Sequence, residues 1–328
     1  MTRMKSYIMS LLGLCLLMTA CKDKEYAIPE AKDALQNDCI KRTLGPNVAG
    51  LNIEFAYAIA LPATRGKIVS AQVEASIAGE ATTYLEHRSY YTNGSGEDVG
   101  VAIGDPSVNE GNVTKVNFTK DTNAVTLRYF YVIPKSAQGK EVRFTFSAKS
   151  SNGETISYAM GPYRISKMDM VLDLPVKNAD ACFISVADMA VYTEKDAPAN
   201  ADKIDLVYLY RAISGISFNH ALVSPGAGAE YLPDITLPPG LNRVTKIRKT
   251  WNLRDFHLAR LQYGVYIDDL DFEQLDMTGS PDYVINLKSE AGAWVETADG
   301  KYRAYIYMNK VEDSKKSATI SMKRYTLK

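Results

Sequence analysis

The chain has 328 residues, and its 38 Lys and Arg balance 38 Asp and Glu. That balance gives no basis for nucleic-acid binding, which wants a basic face, and the length favours two domains over one. Tyr occurs 21 times and Trp only twice, a composition suited to strands and to ligand-facing surfaces.

Residues 1–20 have the three parts of a secretory signal: basic Arg3 and Lys5, an apolar run from Tyr7 to Met18, and small residues before the cut. A bilayer-spanning helix needs roughly 20 apolar residues, so the shorter run reads as a signal peptide. Leu17-Met18-Thr19-Ala20-Cys21 resembles the bacterial lipobox. The resemblance implies acylation of Cys21 and a protein held to the membrane by lipid alone. Each buried CH₂ of an acyl chain contributes about 0.8 kcal/mol, and stable anchoring takes more than one chain. Lys22-Asp23-Lys24-Glu25 is a solvated leader that cannot pack. It also resembles the charged export signal of Bacteroidota surface lipoproteins, although Lys24 interrupts the acidic pair. The expected location is the outer membrane, facing the cell exterior; a periplasm-facing lipoprotein with a polar spacer is the alternative.

Cleavage removes Cys15 and lipidation uses Cys21, leaving Cys39 and Cys182. An oxidising compartment would permit a bridge between them, but two isolated cysteines form neither a disulfide scaffold nor a metal knuckle. They are expected to be unpaired small hydrophobes.

A lipidated tether is expected over 21–41, with one helical turn near Ala31–Leu35. A first domain follows over 42–168. Apolar or alternating runs at 51–61, 67–79, 112–119, 124–134, 140–150 and 154–165 read as strands. Ser151-Asn152-Gly153 supplies the hairpin turn between the last two. Short strands with turn signals between them predict an immunoglobulin-like β-sandwich. The Gly- and Asn-rich stretch 87–111 is too long for an ordinary connection and reads as a functional loop or a disordered insertion.

Residues 166–180 read as the link to a second domain, 169–328 as a whole. Strands are expected at 181–193, 202–212, 217–228, 301–308 and 318–327, with Asp299-Gly300 as a hairpin turn. Asn252 looks like a helix N-cap with Asp255 three residues on, followed by apolar residues at helical spacing from Leu253 to Val265. The predicted fold class is therefore mainly β: an immunoglobulin-like sandwich followed by a β-rich α+β domain.

Catalytic grammar is thin. His87, His220 and His257 carry no nucleophile elbow or His-Glu-x-x-His pattern, and a structural or surface role is expected for each. Asp268, Asp269, Asp271, Glu273 and Asp276 form a dense acidic run, but it lacks Ca²⁺-loop spacing. It reads as a solvated helix face into which Leu270 and Phe272 interleave as packing residues. No metal, cofactor or catalytic residue is expected, and the protein reads as a non-enzyme. Aromatics beside polar side chains fit a sugar better, because sugar rings present apolar C–H faces and hydrogen-bonding hydroxyls. The candidates are Tyr90 and Tyr91 with Asn93, Trp251 with Arg254, and Trp294 with Tyr302. Core anchoring is the competing role for both tryptophans.

Lipobox, charged leader, sandwich and the C-terminal "ADGKYRAYIYMNKVEDSKKSATISMKR" together resemble Bacteroidota surface lipoproteins of a domain-of-unknown-function family. Their architecture is similar to that of tandem-domain glycan-binding accessory lipoproteins of starch-utilisation-type loci. The resemblance implies glycan capture, or service to an outer-membrane uptake complex whose transporter components would be partners. The other reading is a structural or adhesive surface lipoprotein, such as a pilus-associated one, that binds protein partners.

Overall fold

The computed structural model describes residues 32–213 and 215–327. The expected signal peptide, Cys21 and the charged leader lie outside the described residues. Leu35–Lys328 forms one compact unit, built of antiparallel sheets with very little helix.

The first domain contains β1 (Gln36–Lys41), β2 (Asn52–Ala60), β3 (Ile68–Ala75), β4 (Tyr84–Leu85), β5 (Arg88–Thr92), β6 (Asp98–Ala102), β7 (Val108–Glu110), β8 (Val113–Asn117), β9 (Ala124–Val132), β10 (Glu141–Ser150) and β11 (Thr155–Arg164). One sheet has the order β1-β2-β9-β4 and faces a second of order β11-β10-β3-β8-β7. Strands β1-β2-β9 against β11-β10-β3 make the frame of an immunoglobulin-like sandwich. Period-2 alternation drives it: Ile53, Phe55, Tyr57 and Ile59 of β2 all point inward. Phe55 meets Phe144 and Phe146 of β10 at ring-centroid distances of 4.9 and 5.2 Å.

Strand β1 corrects the expected tether, whose last six residues pair with β2 from Gln36↔Ala60 to Lys41↔Phe55. Burial of Leu35 and Cys39 in the core draws that segment in. Stretch 87–111 is no disordered insertion, since β5 and β6 form a hairpin and β7 pairs with β8.

The second domain contains β12 (Met168–Lys177), β13 (Ala181–Ser185), β14 (Ala190–Thr193), β15 (Leu206–Ile213), β16 (Ile216–Val223), β17 (Lys246–Trp251), β18 (Tyr283–Leu287), β19 (Ala291–Glu296), β20 (Tyr302–Glu312) and β21 (Ser317–Thr326). Two five-stranded sheets, β12-β21-β20-β19-β17 and β14-β13-β15-β16-β18, enclose a core that includes Ile306 and Met308. The alternate residues Tyr305 and Tyr307 point to the opposite face of the first sheet. There the segment after β17 covers them with two single-turn helices, α1 (Phe256–Ala259) and α2 (Asp269–Glu273).

These two turns are the α part of the domain, and the longer helix expected from Asn252 does not form. Asn252 sits at φ +55°, and Asp255 is the N-cap, accepting from Leu258 N. The same carboxylate accepts from Ile267 N at 2.8 Å and from Lys323 Nζ at 2.6 Å. Both side chains of that ion pair are fully buried. This buried charge folds 255–267 back as a loop, and α1 stops at Arg260 (φ +52°).

The link is shorter than 166–180, because β12 begins at Met168. Ile165 bridges to Asn47, and Lys167 N donates to Asp269 Oδ2 at 3.0 Å. Asp169 receives Lys135, Gln138 and Arg324, so one carboxylate ties both domains together. Val48 of the first domain is buried in the cluster that holds Phe272 and Tyr325 of the second. Cys39 and Cys182 are both buried and free. Burial pushes the Cys39 thiol up to about 12 and the Cys182 thiol to about 11, so both are inert. Among the described residues no helix is long and apolar enough to cross a membrane.

Candidate functional site

A recess in the first domain arises because β4 stays paired with β9 for only two residues, Tyr84↔Phe130 and Leu85↔Tyr129. Glu86 N still donates to Arg128 O at 2.8 Å. Beyond it the chain peels away as the β5–β6 hairpin, leaving the first half of β9 without a strand on that side. The hairpin is held by charge. Arg128, 7% exposed, donates to Asp98 of β6 and lies 3.4 Å from Glu54 of β2. Arg88 donates to Glu86 at 2.7 Å, and that hydrogen bond holds the Glu86 carboxyl below its usual range. Ser89 Oγ accepts from Thr126 N at 3.1 Å.

Between hairpin and sheet lies a groove of about 500 Å³, within the roughly 300–1,000 Å³ span of small-ligand sites. Asn37 and Asp38 of β1, Ile59 of β2, Ser89 and Tyr91 of β5, and Thr126 of β9 line it. Tyr90 also borders it, but its ring packs between the guanidinium groups of Arg128 and Arg88, at 5.4 and 5.6 Å, and Gly100. A Cβ added at Gly100 would stand 3.0 Å from the ring. Burial, then the Glu86 carboxylate, raises the Tyr90 hydroxyl. Tyr90 is therefore a wedge that sets the hairpin, and Tyr91, 55% exposed, is the open aromatic surface. Asn93 does a third job: its Oδ1 accepts from Ser95 N and Glu97 N, both at 2.9 Å, closing the hairpin turn.

The structure separates the other sequence candidates. Trp251, 56% exposed, ends β17 with the Lys249 ammonium 4.1 Å from its ring centroid. Lys249 also donates to Ile285 O and Asn286 O, at 2.6 and 2.7 Å. Arg254 pairs with Glu290. Trp294 is corrected from ligand residue to core anchor: it is 8% exposed and packs edge-on to Phe272 at 5.2 Å. Tyr302 packs on the opposite face of that sheet, with Arg324 5.0 Å from its ring centroid. The expected pairing of Trp294 with Tyr302 does not exist.

Another recess of about 450 Å³ lies between the domains, lined in part by Asp268, Asp269 and Glu273. Its carboxylates are committed to the fold. Asp268 caps α2 in a capping box with Asp271, Asp269 holds the link, and Glu273 accepts from Tyr325 OH. Phe272 packs as expected, whereas Leu270 is 57% exposed. His220 is buried between Tyr208 OH (2.6 Å) and Asp313 (2.8 Å). Burial, then Lys323, draws His257 down to about 4. Among the described residues no three His, Cys, Asp or Glu side chains gather as a metal site.

Sequence reasoning missed Asn37 and Asp38, which it placed in the tether, Ser89, which lay in the 87–111 stretch read as a functional loop or insertion, and Thr126, which read only as a strand residue.

Comparison with known proteins divides the chain where the sandwiches meet. Residues 32–165 match the domain of unknown function DUF4466, and residues 166–327 match the domain of unknown function DUF8576. The crystal structure of a DUF4466 family protein from Parabacteroides merdae is 47% identical, with a TM-score of 0.85 over 90% of this chain and 99% of that one. The chain belongs to the DUF4466 family. The major pilin subunit of Bacillus cereus matches at 9% identity over 58% of this chain and 53% of that one, with a TM-score of 0.27. No curated protein matches. The groove thus belongs to the DUF4466 segment, and the Trp251 surface to the DUF8576 segment.

Proposed function

We propose that this DUF4466 protein is a lipid-anchored, non-catalytic surface protein that captures glycan beneath the β5–β6 hairpin, as an accessory to outer-membrane uptake. The observation that carries the reading is the groove itself. An exposed aromatic, Tyr91, stands beside Asn37, Ser89 and Thr126 in a recess of about 500 Å³. An apolar ring face with uncharged donors and acceptors around it matches the two-sided chemistry of a sugar. Thr126 N points to the hairpin; its carbonyl, on the same side of the strand, adds a backbone acceptor. Trp251 is a secondary aromatic surface on the same reading.

The anchor is the lipobox cysteine, Cys21. Fourteen chain steps separate it from Leu35, the first residue of the compact unit. Such a tether spans at most roughly 50 Å. Asn37 and Asp38 follow at once, so captured glycan would be held within reach of a transporter in the same membrane.

Cys21→Ser is expected to move the protein from the membrane fraction to the soluble one. Retention in the membrane would sink the anchor. Residues 22–328, which include the whole compact unit, are expected to bind members of a glycan array at micromolar to millimolar levels, with binding lost in Tyr91→Ala. Silence across the array at millimolar glycan would refute glycan capture.

A further inference from the structure

We infer that the hairpin groove selects uncharged saccharides and rejects uronates and sulfated sugars. The inference rests on the glycan reading above and adds the ligand's charge class. It comes from the wall chemistry. Among the described residues that line the groove Asp38 is the one carboxylate, and none is Lys, Arg or His. The arginines around the hairpin base are paired: Arg128 with Asp98 and Glu54, Arg88 with Glu86, and Arg42 with Glu54 at 3.1 Å. Arg128 and Arg88 also face the ring of Tyr90, which holds them on the hairpin's packed side. These three cations and three carboxylates balance, and Asp38 is the charged residue among the described residues that line the groove.

Asp38 is fixed there. Its Oδ1 accepts from Cys39 N at 2.8 Å. It also hydrogen-bonds Tyr158, and its negative charge is the largest cause of the raised Tyr158 hydroxyl. The remaining wall groups are neutral and offer both senses of hydrogen bond. Asn37 Nδ2 donates to the inward-pointing Tyr57 OH at 3.0 Å, and Thr126 brings a neutral hydroxyl to the lining. Ser89 Oγ accepts from Thr126 N and keeps its own O–H to donate. A sugar hydroxyl, donor and acceptor at once, is satisfied by such a wall.

A carboxylate or sulfate is not. It would lose hydration without gaining a cationic partner, which is costly on any scale. It would also meet Asp38. At about 6 Å, with an effective dielectric between the ~20 of a protein surface and the ~80 of water, like-charge repulsion alone weakens binding by about tenfold.

The test uses residues 22–328 and oligosaccharides matched in length and stereochemistry: galactose with galacturonate, glucose with glucuronate, mannose with mannuronate, and galactose with its 6-sulfate. Calorimetry is expected to show at least one neutral member binding tenfold or more tighter than its anionic partner. Asp38→Asn keeps an acceptor for Cys39 N and should narrow that gap several-fold, with melting temperature confirming the fold. Tyr91→Ala marks the groove, since it should abolish the neutral binding. An anionic member that binds as tightly as its neutral partner, and is lost in Tyr91→Ala, overturns the charge selection while leaving glycan capture standing. So does a gap unchanged in Asp38→Asn. If no pair binds at millimolar concentration, the glycan reading fails and the selection fails with it.

Discussion

Lys323→Met is the sharpest test of how the second domain is built. The Lys323 ammonium and the Asp255 carboxylate lie 2.6 Å apart with both side chains fully buried, and Lys323 also donates to Ile267 O at 2.8 Å. Burial lowers the Lys323 pKa, and the Asp255 carboxylate opposes that shift. Methionine fills the space but strands the carboxylate with two backbone donors, Leu258 N and Ile267 N. Breaking a buried pair in this way costs about 3–5 kcal/mol, a large share of the ~5–15 kcal/mol that holds a domain. For a domain of this size the loss corresponds to roughly 6–20 °C in melting temperature. Urea unfolding followed by tryptophan fluorescence reads it directly, because Trp294 sits in the cluster that also holds Leu258 and Ile267. Removing the stranded charge in Asp255→Asn/Lys323→Met should restore about 1–3 kcal/mol relative to Lys323→Met alone. If Lys323→Met stays within about 1 kcal/mol of the native protein, or the double variant is no better than the single, the pair does not organise the 255–267 loop.

The two tryptophans should diverge. Trp294→Ala empties a packed site and is expected to cost about 3–5 kcal/mol, whereas Trp251→Ala, on the surface, should stay within about 0.5 kcal/mol; equal effects in urea titrations would contradict the burial assignment. Asp205 provides a pH signature. Burial raises its carboxyl to about 6, although Val186 N and Arg243 favour the charged form. A folded-state value above the unfolded ~3.9 means that the folded chain binds the extra proton. Stability is therefore highest below about pH 4 for this group and is lost as pH rises through 6. Against Asp205→Asn, the native protein should gain up to about 3 kcal/mol between pH 7 and pH 4; a difference that does not change with pH would refute it. His257, drawn down to about 4, acts oppositely. Its contribution is present above the unfolded ~6.5 and fades as pH falls toward 4, so His257→Phe should flatten the acid side of the stability curve.

Strands of the first domain were legible because one face of each is buried. The alternation of Ile53, Phe55, Tyr57 and Ile59 states both element and orientation, and Gly153 (φ +89°) and Gly300 (φ +63°) stand in the expected hairpin turns. The helix from Asn252 was misread because apolar spacing takes no account of a buried charge. Lys323 is 68 residues from Asp255, and only the fold brings it under the loop. Trp251 and Trp294 look alike in sequence. Trp251 ends an edge strand and Trp294 lies in the inner strand β19, which decides their exposure.

Local pattern thus determined the mainly β character, the strand positions in the sandwiches and the hairpin turns. Each depends on neighbours within a few residues, through period-2 burial or turn conformation. The tertiary structure alone decided that 36–41 is a strand, that Tyr90 is a wedge and Tyr91 open surface, and that Asn37, Asp38, Ser89 and Thr126 share a wall. Those residues come from three strands, and they meet because β4 leaves β9 after two residue pairs. Sequence periodicity has no record of where one strand stops following another.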